Sequence, residues 1–158
     1  MESVRIATLA DAGRLAEMIS DLVGSLLDAR GGAELIGVRM GTSDRPMDLE
    51  DHLASMIVDE GRLVLVGSLE RVTLGISLWH RAVSDAGRRG VVDACYVEPG
   101  ARGVGLGRLL METGLAWCAE MGCGTVDGLA LPGDRTAKNF YEASGFKARL
   151  LTMNRPLE

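Results

Sequence analysis

The chain has 158 residues, 47% hydrophobic and 25% charged, with a net charge of −5 at pH 7. That length suits one domain with a real core, spanning 1–158, and the balance excludes a disordered chain. No apolar run nears the ~20 residues of a membrane span, the N-terminus lacks a signal-peptide pattern, and the acidic balance argues against nucleic acid, so a cytoplasmic protein is expected.

The elements follow in chain order. Residues 3–7 alternate as a first strand. Thr8 then offers a helix N-cap with Asp11 three residues on, a capping box using Asp in place of Glu. Leu15, Ile19, Leu22 and Leu26 line one helix face. Residues 28–44 carry Gly31, Gly32, Gly37 and Gly41 without a sustained period, and read as a connection. Pro46 suits a first helical turn, and Leu49, Leu53, Met56 and Ile57 continue a second amphipathic helix ending near Gly61. Residues 62–69 and 72–82 form a hairpin around Glu70 and Arg71. A polar turn over 84–90 leads to a third strand over 91–97. Leu106, Leu109, Leu110, Trp117 and Met121 mark a helix that stops near Gly122. Residues 125–131 read as a strand, 134–144 as a short helix ended by Gly145, and 146–155 as a final strand.

This order predicts an α/β (α+β-like) domain. Its mixed central sheet has an antiparallel N-terminal meander, a splayed parallel pair, and helices on both faces. Cys95, Cys118 and Cys123 are odd in number and lack ligand spacing, so they read as reduced thiols. With only His52 and His80 as histidines, no metal site is expected.

The segment after the third strand carries the strongest chemical signal. Gly100, Gly103, Gly105 and Gly107 lie in a loop that opens directly into a helix. Backbone N–H groups at a helix N-terminus bind anions, and glycine lets a phosphate approach them closely. Arg108 stands in the first helical turn, in reach of the same anion. Pro99 cannot donate to a ladder, so pairing fails after Val97 and leaves a notch with unpaired backbone. An extended amide-bearing ligand can pair there as an added strand.

Carboxylates supply the remaining chemistry. Asp93 interrupts an apolar run, so it faces a cavity or a partner. It is the leading general base or substrate anchor, the alternative being an ion pair with Arg88 or Arg89. Asp127 makes a lesser claim to the same role. Glu98 reads as solvent-facing and His80 as a surface residue. Trp79 is a candidate wall for an acceptor pocket. The first two helices, the loop between them and the hairpin end are the expected acceptor surface.

Val97-x-Pro99-x-x-Arg102-Gly103-x-Gly105-x-Gly107 resembles the acyl-CoA motif of the GNAT (Gcn5-related N-acetyltransferase) superfamily. Downstream, Ala137-x-x-Phe140-Tyr141-x-x-x-Gly145-Phe146 is similar to the family's second motif. The resemblance implies acetyl-CoA as co-substrate. Its pyrophosphate would lie on the amides of Arg102, Gly103, Val104, Gly105, Leu106, Gly107 and Arg108, and its pantetheine along Cys95, Tyr96 and Val97, with Phe140 beside it. It further implies that Tyr141 protonates the departing thiolate, and that a small-molecule or peptide amine is the acceptor. The family often dimerises, so a homodimer is possible, with the final strand pairing across subunits. The family commonly has Asn where this chain has Asp134, which is better read as a helix cap. A non-catalytic acyl-CoA-binding module on the same fold is the alternative. A dinucleotide-binding fold is excluded, because the glycines do not run G-x-G-x-x-G and follow a meander.

Overall fold

Five strands form one mixed sheet in the order β1-β2-β3-β4-β5. The computed structural model describes residues 1–40 and 48–158, and the expectations placed on Gly41 and Pro46 fall outside them. β1 (Glu2–Ile6), β2 (Arg62–Leu69), β3 (Val72–Ser84) and β4 (Gly87–Val97) run antiparallel to one another in succession. β5 (Thr125–Gly128) runs parallel to β4. Glu70 and Arg71 alone join β2 to β3, both at positive φ (47° and 70°), the hand that matches strand twist in a two-residue hairpin.

Side-chain alternation divides the core between two faces. Val64, Val66, Ile76, Leu78, Ala94 and Tyr96 pack with Leu15, Met18, Ile19, Leu53 and Met56 of α1 (Ala12–Leu26) and α3 (Leu49–Ile57). Leu63, Leu65, Trp79, Val92 and Val97 pack with Leu106, Leu110 and Met111 of α4 (Leu106–Glu120). Tyr141 of α5 (Arg135–Ala143) joins that second face. Full burial of each such Leu, Ile or Met stabilises the fold by about 1.5–3 kcal/mol. At the start of the first helical segment, the Thr8 N–H donates to Asp11 Oδ2 (2.8 Å), as the capping pattern anticipates. Arg5 also grips both Asp11 oxygens (2.7 and 2.8 Å) and holds that carboxyl down at about 2.

Four boundaries differ from the sequence reading. Part of the 28–44 connection is a helix, α2 (Gly32–Met40). Its own polarity pattern is weak, and what fixes it is tertiary: Leu35 and Ile36 settle against Leu26 and Leu131. β4 begins at Gly87 instead of residue 91, because Gly87 at φ 108° closes a tight turn that lets polar residues 87–90 pair with β3. β5 stops at Gly128, three residues early. The final strand expected over 146–155 does not form. Leu150, Leu151 and Met153 are 75–87% exposed, so no apolar surface among the described residues opposes the segment, and the Arg149–Asp127 ion pair ties it to β5 by side chains. Among the described residues, no helix is long and apolar enough to cross a membrane.

Candidate functional site

β4 and β5 pair only from Arg89↔Thr125 to Val92↔Gly128. β4 then runs on to Val97 with no strand paired on its β5 side among the described residues. The Glu98 N–H donates to Leu74 O of β3 (2.9 Å), so by alternation Cys95 and Val97 turn their backbone groups toward the opening. Arg102 Nε donates to Val97 O (2.8 Å), and its guanidinium lies over the Tyr96 ring, 5.6 Å from the centroid. The Arg102 side chain thus braces the loop instead of reaching outward.

The glycine loop opens directly into α4, as its spacing suggests. Gly103 (φ 85°) and Gly105 (φ 96°) take left-handed backbone that an L side chain rarely adopts. The first backbone bond of α4 is Leu109 N–H to Gly105 O (3.0 Å). No acceptor among the described residues engages the amides of 103–108, so these successive donors meet the positive end of the α4 dipole. The Arg102 amide, expected among them, instead approaches Pro99 O (3.4 Å). Arg108 Nε is drawn to Glu112 (2.7 Å), so its guanidinium is engaged along the helix and not over the loop. Arg14 anchors the base of the loop by pairing with Glu98 and donating to Thr73 O (3.1 Å). Glu98 is therefore an ion-pair partner, not a free solvent-facing carboxylate.

The second motif folds back onto the first. Asp134 caps α5, accepting from the Ala137 N–H at 3.0 Å. Phe140 approaches Gly107, where a Cβ would lie 3.5 Å from its ring. Tyr141, 9% exposed, packs edge-on against Phe146 (centroids 5.1 Å) and lies flush on Gly128, the last residue of β5 to pair. A Cβ on Gly128 would stand 2.2 Å from Tyr141 Cε1. The phenol is thereby held beside the point where the strands part.

Asp93 occupies a β-bulge: Leu78 opposes Ala94 and Trp79 opposes Val92, leaving Asp93 between them. It is the first β4 residue beyond the β4–β5 pairing and is 2% exposed. His80 Nδ1 lies 2.6 Å from Asp93 Oδ2, and Arg62 stands 3.7 Å from the same oxygen. The expected alternative partners, Arg88 and Arg89, are elsewhere. Arg89 and Arg149 engage Asp127 (3.2 and 2.6 Å), and Arg149 foremost holds that carboxyl below its usual range. Trp79 is core instead of pocket wall: it is 1% exposed, and its Nε1 donates to Ser77 Oγ (2.8 Å). Burial pushes the Cys95 thiol up to about 12, which favours its neutral form. A cavity of about 440 Å³ opens between the end of α1 and the β5–α5 loop, lined by Ser25, Arg30, Leu131 and Asp134. Among the described residues, no cluster of His, Cys, Asp and Glu is suited to a metal ion.

A family model described as the acetyltransferase (GNAT) family matches residues 32–146. The chain belongs to the GNAT acetyltransferase family. Solved structures share the fold at low identity. The BH1408 protein of Bacillus halodurans, in a tetramutant form, is 20% identical over 98% of this chain and 99% of its own, with a TM-score of 0.78. A ribosomal-protein-alanine N-acetyltransferase from Brucella melitensis biovar Abortus is 15% identical with full coverage of both chains and a TM-score of 0.71. An aminoglycoside acetyltransferase from an uncultured soil metagenomic sample is 14% identical over 99% of this chain and 97% of its own, with a TM-score of 0.69. No curated protein is significantly similar in sequence.

Within this GNAT fold, the glycine loop, Phe140 and Tyr141 converge on one opening. The sequence reading missed the group that faces Asp93. His80 was recoverable in principle, since β3 and β4 are adjacent strands of one meander. The bulge that aligns them has no signature of its own.

Proposed function

We propose that this protein transfers an acetyl group from acetyl-CoA to a primary amine of a small molecule or peptide, by direct attack with both substrates bound. The observation that carries the reading is the run of unengaged amides over 103–108, set at the mouth of the opening between β4 and β5. A pyrophosphate fits that cradle without a basic side chain, because six N–H donors and a helix terminus supply the field. The open backbone of Cys95 and Val97 suits the amides of an extended pantetheine, with the Val97 carbonyl already taken by Arg102. Acetyl-CoA supplies an activated acyl carbonyl and a thiolate leaving group.

The residues around the opening divide the proton work. Tyr141 stands on the α4 face, against Gly128, where its hydroxyl serves a departing thiolate. An ordinary phenol (pKa ~10) is a suitable acid for a sulfur whose thiol lies near ~8.5. Asp93 lies at the start of the opening and serves removal of the amine proton. The cavity beside Ser25 and Arg30 lies where the acceptor is expected, at the end of the first helix. Most of the rate then comes from positioning the amine against the thioester.

Thiol release from acetyl-CoA over a panel of polyamines, amino acids, aminoglycosides and peptides tests the reading, alongside thermal shift with acetyl-CoA. Stabilisation with turnover of one amine class supports it. No stabilisation overturns the donor assignment. Stabilisation with silence across the panel favours a non-catalytic acyl-CoA-binding module.

A further inference from the structure

Resting on that reading, we propose that the group accepting the amine proton is His80 Nε2, with Asp93 as the positioning residue behind it. Asp93 is too enclosed to meet an acceptor directly: its side chain is 3% exposed, and its Oδ2 faces His80 Nδ1. The His80 side chain is 29% exposed. An ionised carboxylate only accepts hydrogen bonds, so Nδ1 carries the proton and donates to Asp93. The neutral ring then presents a bare Nε2 lone pair. Nε2 has no partner among the described residues and is not a buried unpartnered atom, so it reaches solvent. Arg62 stands 3.7 Å from the same Asp93 oxygen, and Asp59 holds Arg62 in turn at 3.5 Å.

The sheet places this base opposite the acid. His80 pairs with Arg62 in β2, and alternation sets both on the face of Val64 and Leu78, which packs on α1 and α3. Tyr141 belongs to the other face. Between them lies the point where β4 leaves β5, one row beyond the Val91 that His80 opposes. An amine arriving from the α1 face meets His80, while sulfur departs on the face of Tyr141. In the step, a bond forms between the amine nitrogen and the acyl carbon, and the carbon–sulfur bond breaks. His80 Nε2 takes the proton lost by nitrogen, and the Tyr141 hydroxyl gives its proton to sulfur. Solvent then removes the proton from the imidazolium and returns one to the phenolate.

Two readouts test this. The chain has only two histidines, so the imidazole ¹⁵N spectrum holds two rings, assigned with His52→Gln and His80→Gln. The neutral His80 ring is expected as the Nδ1–H tautomer, converting to Nε2–H in Asp93→Asn. An Nε2–H tautomer in the wild type overturns the proposal without any turnover measurement. With the best amine from the panel, His80→Gln is expected to lower kcat ~100-fold and to abolish the rising limb of kcat against pH, with stabilisation by acetyl-CoA unchanged. Asp93→Asn is expected to lose the same limb, and the double variant to fall no further than either single one. Among the described residues, the charged groups beside the ring are Asp93 of β4 and Arg62, its pair in β2, with Asp59 acting through Arg62. Wild-type kcat and pH profile in His80→Gln overturn the base role alone. Absence of transfer in the wild type, with the Nδ1–H tautomer present, overturns the reaction reading and the base role together.

Discussion

Substituting Gly128 by alanine tests whether the seat of Tyr141 matters to turnover. The new methyl would lie 2.2 Å from Tyr141 Cε1 and 2.6 Å from Cζ, whereas ordinary contact begins at 3.4 Å. The ring must therefore retreat by about 1.2 Å, because Gly128 is tied to Val92 in the last paired row of the sheet. Overpacking of this kind costs about 1–3 kcal/mol, which at this chain length lowers Tm by roughly 2–12 °C. A displacement near 1 Å at a reacting group costs turnover ~100-fold. Steady-state kcat with the best amine, measured beside thermal shift with acetyl-CoA, separates the two effects. Gly128→Ala is expected to lose kcat ~100-fold while remaining stabilised by acetyl-CoA. If the loss runs through the hydroxyl, the same substitution in a Tyr141→Phe background removes little more. Wild-type kcat in Gly128→Ala, or an undiminished loss in the Tyr141→Phe background, refutes the reasoning.

Other substitutions probe the remaining parts. Tyr141→Phe is expected to lower kcat ~100-fold with little change in stabilisation by acetyl-CoA, and unchanged turnover removes Tyr141 from the acid role. Gly105→Ala forces a side chain into backbone at φ 96°, costing about 1–2 kcal/mol. Its Tm and its stabilisation by acetyl-CoA are both expected to fall, and a thermal shift equal to wild type refutes the cradle geometry. Asp11 has its carboxyl held at about 2 by Arg5, below the ~3.9 of an unfolded chain. The pair therefore stabilises the fold above about pH 4, and that contribution fades as pH falls toward 2. With Arg5 half exposed, Asp11→Asn should cost about 1–2 kcal/mol at pH 7, and the gap should close between about pH 5 and 2. Urea melts across that range check it, a gap constant with pH being the refuting result.

Several features were legible because their causes are local. Glycines at 103 and 105 announce left-handed backbone, Asp134 announces a helix start, and Glu70-Arg71 separates two apolar runs by the length of a hairpin turn. The elements that escaped depend on distant partners. α2 acquires its apolar contacts from Leu26 and Leu131, and a reading of its own pattern finds no periodic face. Residues 146–155 alternate plausibly enough for a strand, yet alternation forms no strand unless a ladder partner and an apolar face oppose it.

The amino-acid sequence by itself determined the glycine loop that opens into a helix, the later phenol and the intrusion of a carboxylate into an apolar strand. Each is a property of a few neighbouring residues, governed by backbone sterics and the cost of burying charge. Only the tertiary structure decided that Asp93 faces His80 and Arg62, while Arg89 turns to Asp127. That choice depends on register across three strands and on one bulge between Leu78 and Trp79. A one-residue change of register sends a side chain to the opposite face of a sheet, so partner identity is decided by the assembled sheet.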